Sequence, residues 1–207
     1  MPVLLALIVV IWYIITTLGM FLSTAAIISF TSPKGAEPLL NAHIFLVGMN
    51  GTGKSSMGQK LAQALGLPFC DTEQTICRLL GQASAESARA ALGDAFVATA
   101  ETGILADLVG RPAHVVATTQ TIGDDTLNIS IMRNHGVIIY IHRPLNLLLK
   151  SLASRGDPSN EEYDQVIQAY HRVHNVFREA ADATIENTKD FQTAVRQLTE
   201  AAQSLLS

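Results

Sequence analysis

Two hydrophobic patterns divide the chain, and they predict different elements. Residues 3–30 are almost continuously apolar, and as a helix they would span roughly 40 Å, enough to cross a bilayer core of about 30 Å. From residue 43 onward, short apolar runs alternate with longer segments whose apolar positions recur at helical spacing. Short apolar runs are typical of strands buried on both faces, so this part predicts a parallel sheet covered by helices on both sides.

Turn-forming residues set the bounds of these elements, because Gly, Pro, Asn and Asp separate the apolar runs. The predicted strands are 43–47, 67–70, 114–118, 137–141 and 183–185. The predicted helices are 55–65, 72–80, 84–92, 95–109, 124–134, 144–155, 161–181 and 189–205, with Thr72 as the cap of the second. Strands and helices therefore alternate along the chain, as in an α/β fold.

The N-terminal segment, residues 1–33, is interpreted as one transmembrane helix, followed by a linker at 34–42 and a globular domain at 43–207. A cleaved signal peptide and a misassigned start codon, with Met20 as the internal candidate, are the alternatives. Lys34 follows the segment, which favours the cytoplasmic side for the domain. We therefore expect a membrane-anchored protein whose domain lies in the cytoplasm, or a cytoplasmic protein if the start is misassigned.

Formal charge is confined to the part of the chain beyond residue 33. The 14 basic and 18 acidic residues give a net charge of −4, without the basic excess of a nucleic-acid binder. Cys70 and Cys77 form no CxxC pattern, so we interpret them as reduced thiols rather than as a disulfide or a metal site. From the charge balance we expect no nucleic-acid partner.

Residues 48–55, GMNGTGKS, follow the first predicted strand and match the phosphate-binding pattern GxxxxGK[ST]. The glycines let the backbone approach a phosphate closely, and the N–H groups form an anion-binding concavity at a helix N-terminus. Lys54 is expected to reach the β- and γ-phosphates, and Ser55 to hold Mg²⁺. The predicted ATP-binding residues of this phosphate loop are Gly48, Asn50, Gly51, Thr52, Gly53, Lys54, Ser55 and Ser56.

Four further segments, taken with this loop, resemble one family. They are PFCDTE at 68–73, VVAT at 115–118, VIIYI at 137–141 and FREAADATI at 177–185. Together they resemble shikimate kinase over about residues 43–206. The resemblance implies a three-layer P-loop kinase fold with a five-stranded parallel sheet of order 2-3-1-4-5, a mobile lid, and transfer of the ATP γ-phosphate to the 3-hydroxyl of shikimate. The N-terminal segment is not part of the family pattern.

On the ATP side, the resemblance carries over to individual residues. Asp71 matches the first acid of the family's Asp-x-Asp, which implies that it orders Mg²⁺ with Ser55; a helix-capping role is the alternative. Arg155 resembles the lid arginine that lies against the nucleotide, and a solvated helix-end arginine is the alternative. These matches predict retained binding of Mg²⁺-ATP.

On the acceptor side, the chain departs from the family pattern. The second acid is Glu73, which we take as the base or the group that orients the acceptor hydroxyl. The other family positions carry Phe96-Val97 for Phe-Arg, Thr119-Gln120-Thr121 for three glycines, Asp157-Pro158 for Arg-Pro, and Val173, beside Arg172, for a second arginine. Loss of both arginines would remove bidentate recognition of a carboxylate, and the new side chains are expected to intrude on the site.

Two further pairs of polar residues have competing interpretations. Asp124-Asp125 could supply a metal-binding acid, although helix capping is preferred. His171 and His174 share one helical face, which we interpret as solvated rather than as half of a metal site.

The sequence therefore predicts an ATP-dependent small-molecule kinase, with Lys54 and Glu73 as its catalytic residues and shikimate or another hydroxylated compound as its acceptor. The alternative is a non-catalytic nucleotide-binding pseudokinase or scaffold at a membrane. A GTPase-like switch is less favoured, because the chain lacks the guanine-reading Asn/Thr-Lys-x-Asp motif.

Overall fold

The computed structural model describes residues 42–188 and 190–207. Its strands are β1 (His43–Val47), β2 (Phe69–Asp71), β3 (Val115–Ala117), β4 (Gly136–His142) and β5 (Ala183–Glu186). Its helices are α1 (Lys54–Leu65), α2 (Thr72–Leu80), α3 (Ala85–Leu92), α4 (Asp94–Leu108), α5 (Thr126–His135), α6 (Leu145–Ala153), α7 (Asn160–Ala180) and α8 (Phe191–Leu206). A 3₁₀ turn at Ile122–Asp124 precedes α5.

The five strands form one parallel sheet in the order β2-β3-β1-β4-β5, as the resemblance implied. The central strand β1 is buried along its whole length. Because all five strands run in the same direction, their carboxyl ends lie at one edge of the sheet, where ligands of such folds bind. The phosphate loop leaves β1 at this edge.

Alternation along the strands gives the sheet two hydrophobic faces. Phe45 and Tyr140 pack in one cluster with Leu105 of α4 and Phe177 of α7. On the other face, the cluster includes Ile44, Leu46, Met57, Leu61, Ile139 and Leu198, which come from β1, β4, α1 and α8. The predicted three-layer arrangement is therefore confirmed.

The helices differ from the prediction in one cap and in several bounds. The cap of α2 is Asp71 rather than Thr72, because the Asp71 carboxylate accepts the Gln74 N–H at 3.0 Å. Helix α5 begins at residue 126 rather than 124, because Asp125 caps it by accepting the Leu127 N–H at 2.8 Å. Helix α6 ends at Ala153, so Arg155 lies in the following turn.

The predicted membrane helix at 1–33 and most of the linker lie outside the described residues. Within residues 42–188 and 190–207, no helix combines the length and apolar character needed to cross a bilayer. No disulfide joins Cys70 and Cys77.

Candidate active site

The phosphate loop turns sharply where β1 ends, and its glycines make this turn possible. Gly48 has φ +149°, and a Cβ there would lie 2.5 Å from the Ile141 carbonyl oxygen. Gly53 caps α1 with φ +93°, a conformation that side-chain-bearing residues rarely adopt. The loop can therefore approach the end of β4 and still present its amides at the start of α1.

Hydrogen bonds within the loop fix its shape. The buried Thr52 hydroxyl donates to the Met49 carbonyl at 2.9 Å. The Lys54 ammonium donates to the carbonyl oxygens of Gly48 and Met49, each at 2.9 Å. Burial lowers the pKa of Lys54 to about 8, although the carboxylates of Glu73 and Asp71 oppose this lowering. A buried ammonium at the phosphate loop can form charge-assisted hydrogen bonds with the phosphates of a nucleotide.

Two amide side chains from distant parts of the chain support the loop. The Asn187 Nδ2 group, just after β5, donates to the Thr52 carbonyl at 2.8 Å and is buried. The Gln120 Oε1 atom, after β3, accepts the Asn50 N–H at 3.2 Å. Neither residue was predicted to have this role, because only the sheet order brings them to the loop.

A cavity of about 310 Å³ opens over the loop and brings most of the predicted site residues together. It is lined by Asn50, Gly51, Gly53, Lys54, Ser55, Ser56, Asp71, Glu73 and Thr118. Two of the predicted loop residues, Gly48 and Thr52, do not line this cavity. They stabilise the loop instead, because the Gly48 carbonyl accepts from Lys54 and the Thr52 hydroxyl donates to Met49. Thr118, at the end of β3, was not predicted to lie here.

Asp71 both caps α2 and lines this cavity, so the two interpretations of its role are compatible. Within the described part of the chain, no group of three or more His, Cys, Asp or Glu residues could hold a metal ion by itself. Mg²⁺ commonly uses one or two carboxylates together with substrate phosphates and water. Ser55 and Asp71 fit that role.

Arg155 lies above the loop, in the turn that joins α6 to α7. A Cβ added at Gly51 would be 3.7 Å from the Arg155 Nη2 atom. Arg155 also lines a cavity of about 240 Å³ with Asn50, Gly51 and Gln120. The predicted lid is short, since only residues 154–159 separate the two helices, and its Asp157 is exposed.

A larger cavity of about 490 Å³, the acceptor cavity, adjoins the cavity beneath Arg155. Gln120 lines both of these cavities. Its charged lining groups are Arg89, Glu101, Asp124, Asp125 and Arg172. Val97 also contributes to the lining. Arg89 and Glu101 were not predicted as site residues, because they lie on two consecutive helices, α3 and α4, and belong to no motif.

Glu101 is the centre of a buried polar network beside this cavity. The Thr119 hydroxyl donates to one Glu101 oxygen, and the Thr121 hydroxyl donates to the other at 3.1 Å. Burial raises the pKa of Glu101 from 4.5 to about 7, against the hydrogen bond from Thr121 and the charge of Arg89. The expectation that both threonines intrude on the site is therefore wrong for Thr119, which is buried against Glu101 and does not line the cavity.

Arg172, rather than Val173, is the α7 residue that lines the acceptor cavity. Val173 is buried in the hydrophobic core. The Arg172 guanidinium pairs with the Asp124 carboxylate at 3.1 Å. Thus Asp124 pairs with an arginine while Asp125 caps α5, and capping was the preferred interpretation of this pair.

The interpretation of a solvated histidine face on α7 is wrong for His174. Its ring stacks on Tyr170, and its Nδ1 atom lies 2.9 Å from the Tyr140 hydroxyl. Tyr170 in turn contacts His142 Nε2 at 3.0 Å. His174 is half-buried because α7 packs this face against the end of β4, whereas His171 is exposed.

Comparisons with known proteins agree with this geometry. Residues 50–203 match the family model for shikimate kinase. Shikimate kinase 2 of Escherichia coli O7:K1 is 28% identical over 168 residues, which cover 76% of this chain and 94% of that protein.

Solved structures give the same result. Acinetobacter baumannii shikimate kinase in complex with shikimate has a TM-score of 0.69 at 27% identity, covering 79% of this chain and 92% of its own. Shikimate kinase from Bacteroides thetaiotaomicron shares the fold, with a TM-score of 0.69 at 20% identity over 78% of this chain and 98% of its own. With the family model covering most of the chain and the phosphate loop intact, the chain belongs to the shikimate kinase family.

Proposed function

We propose that this protein transfers the γ-phosphate of ATP to a hydroxyl group of a small acceptor molecule. The observation that carries the proposal is the continuity of its cavities. Asn50 and Gly51 line both the cavity over the phosphate loop and the one beneath Arg155. Gln120 lines the latter together with the acceptor cavity. A nucleotide and an acceptor could therefore meet beside the loop, and such proximity supplies much of the catalysis of phosphoryl transfer.

The residues that bind the phosphates already converge. The loop amides and the Lys54 ammonium would bind the phosphate oxygens. To do so, Lys54 would release the carbonyl oxygens of Gly48 and Met49 to which it now donates. Ser55 and Asp71 would hold Mg²⁺, which neutralises phosphate charge when bound. Arg155, above Gly51, is placed to contribute a further positive charge.

Glu73 faces the same cavity as Lys54, in the first turn of α2. In this position it would orient the acceptor hydroxyl and accept its proton as the new oxygen–phosphorus bond forms. Its longer side chain, compared with the aspartate of the family pattern, lets a carboxylate on a fixed helix reach further towards the acceptor. The relative named above as a complex with shikimate makes shikimate the first acceptor to test.

The test is ADP production by the full-length protein with Mg²⁺-ATP, with and without shikimate or its uncharged methyl ester. Lys54→Ala is expected to abolish acceptor-dependent ADP production, because it removes the buried ammonium at the phosphate loop. Lys60→Ala, at an exposed position of the same helix, is the matched control and is expected to retain activity. Binding of ATP without ADP production from either acceptor would contradict the proposal and favour the nucleotide-binding pseudokinase.

A further inference from the structure

The charges of the acceptor cavity do not suit a carboxylate ligand. Two guanidinium groups, from Arg89 and Arg172, face three carboxyl groups, from Glu101, Asp124 and Asp125. A cavity that selects an anion needs a surplus of positive charge, because each fixed carboxylate repels the ligand. Here the cationic groups are matched or outnumbered, depending on the ionisation of Glu101.

Each arginine also has a partner within the protein. Asp124 binds Arg172 at 3.1 Å, so a carboxylate of the protein itself lies where a ligand carboxylate would have to bind. Arg89 donates to the Thr121 hydroxyl at 3.2 Å, on the edge of the Glu101 network. A ligand carboxylate would have to displace Asp124 and then remain beside it.

The rest of the lining suits hydroxyl groups. The amide side chains of Gln120, Asn128, Gln165 and Gln168 can each donate and accept hydrogen bonds. Val97 and Ala98 add an apolar patch from α4. Amides and carboxyl groups beside a small apolar surface provide both polarities of hydrogen bond that a polyol requires.

We infer that the acceptor cavity selects an uncharged polyhydroxylated compound over a carboxylate, and that Asp124 sets this preference by pairing with Arg172. The inference rests on the proposed function, since it assigns the class of acceptor to the same site. Asp124 acts as a specificity-determining residue: its carboxylate neutralises the arginine and repels an anionic ligand.

The experiment uses a pair of probes that differ in charge, shikimate and methyl shikimate. Their dissociation constants are measured by calorimetry on the full-length protein with saturating Mg²⁺-ADP. The wild-type protein is expected to bind the ester more tightly, by up to about fivefold, because interactions between exposed charges are weak. Asp124→Asn is expected to shift the preference towards shikimate by up to about fivefold, because it releases Arg172 and removes one negative charge.

Glu200→Gln is the matched control, since it removes the carboxylate of another exposed pair, with Arg196, on the helix that packs against the opposite face of the sheet. It should leave the preference unchanged. Tighter binding of shikimate to the wild type, an unchanged preference in Asp124→Asn, or binding of neither probe would overturn the inference. Because ADP replaces ATP in these binding measurements, their result does not depend on turnover. An absence of turnover in the assay of ADP production would instead contradict the proposed function.

Discussion

Glu101 makes the stability of the domain depend on pH in a direction unusual for a carboxylate. Its pKa in the folded protein is about 7, because burial penalises the charged form, against an ordinary value of 4.5. Below pH 4.5 the group is protonated in both states, and its full contribution to stability is present. As the pH rises towards 7, the unfolded chain releases the proton while the folded chain retains it, so stability falls and then levels off.

The size of the effect follows from the two pKa values. At about 1.4 kcal/mol per pH unit, the interval from 4.5 to about 7 corresponds to roughly 3 kcal/mol. Glu101→Gln removes the titration while keeping an amide that can accept from Thr119 and donate to Thr121. We therefore expect the variant to gain stability relative to the wild type by roughly 3 kcal/mol between pH 4.5 and 8.

The assay is urea unfolding of both proteins, followed by far-ultraviolet circular dichroism, at several pH values across this range. Glu200→Gln, at an exposed position, controls for the loss of a carboxylate as such. A constant free-energy difference between wild type and Glu101→Gln at all these pH values would refute the reasoning. It would mean that Glu101 is already ionised in the folded protein and that the threonine hydroxyls and Arg89 outweigh its burial.

Two further substitutions test the support of the loop and of α1. Asn187→Ala should raise the dissociation constant for ATP about fivefold to a hundredfold, because an unsatisfied Thr52 carbonyl costs about 1–3 kcal/mol. The affinity is measured by calorimetry, with Asn134→Ala at an exposed position as the control. An unchanged affinity in Asn187→Ala would contradict this prediction. Gly58→Ala should destabilise the domain by about 1–3 kcal/mol in urea unfolding, because its Cβ would lie 2.7 Å from the Phe69 ring. Gly103→Ala in α4 meets no atom within 4 Å and should be neutral or stabilising; equal effects of the two substitutions would refute the packing argument.

Local patterns were sufficient to predict the succession of strands and helices, whereas the order of the strands in the sheet came from the resemblance to the family. The run at 43–47 coincides with β1, and the phosphate-loop motif follows it as predicted. The bounds of α2 were predicted correctly but its cap was assigned to Thr72 instead of Asp71, and α5 begins two residues later than predicted, after its cap Asp125. Such choices depend on a single hydrogen bond, which the pattern of apolar residues does not encode.

The acceptor side could not be predicted to the same degree, because its residues meet only through the tertiary fold. Arg89 and Glu101 belong to no recognisable motif, and their roles depend on how α3 and α4 meet the residues that follow β3. Arg172 differs from Val173 by one position, yet a rotation of about 100° along a helix separates the cavity from the core. An ungapped alignment cannot resolve such a difference.

The bond from Asn187 to the Thr52 carbonyl joins residues 135 positions apart, at the beginning and end of the domain. During synthesis the phosphate loop leaves the ribosome long before β5, so a nascent chain carries the complete motif without its last support. We therefore expect tight binding of ATP only after the edge strand β5 has docked on β4. Nucleotide binding would thus favour the finished domain over its translation intermediates, and ATP would act as a selective stabiliser of completed molecules.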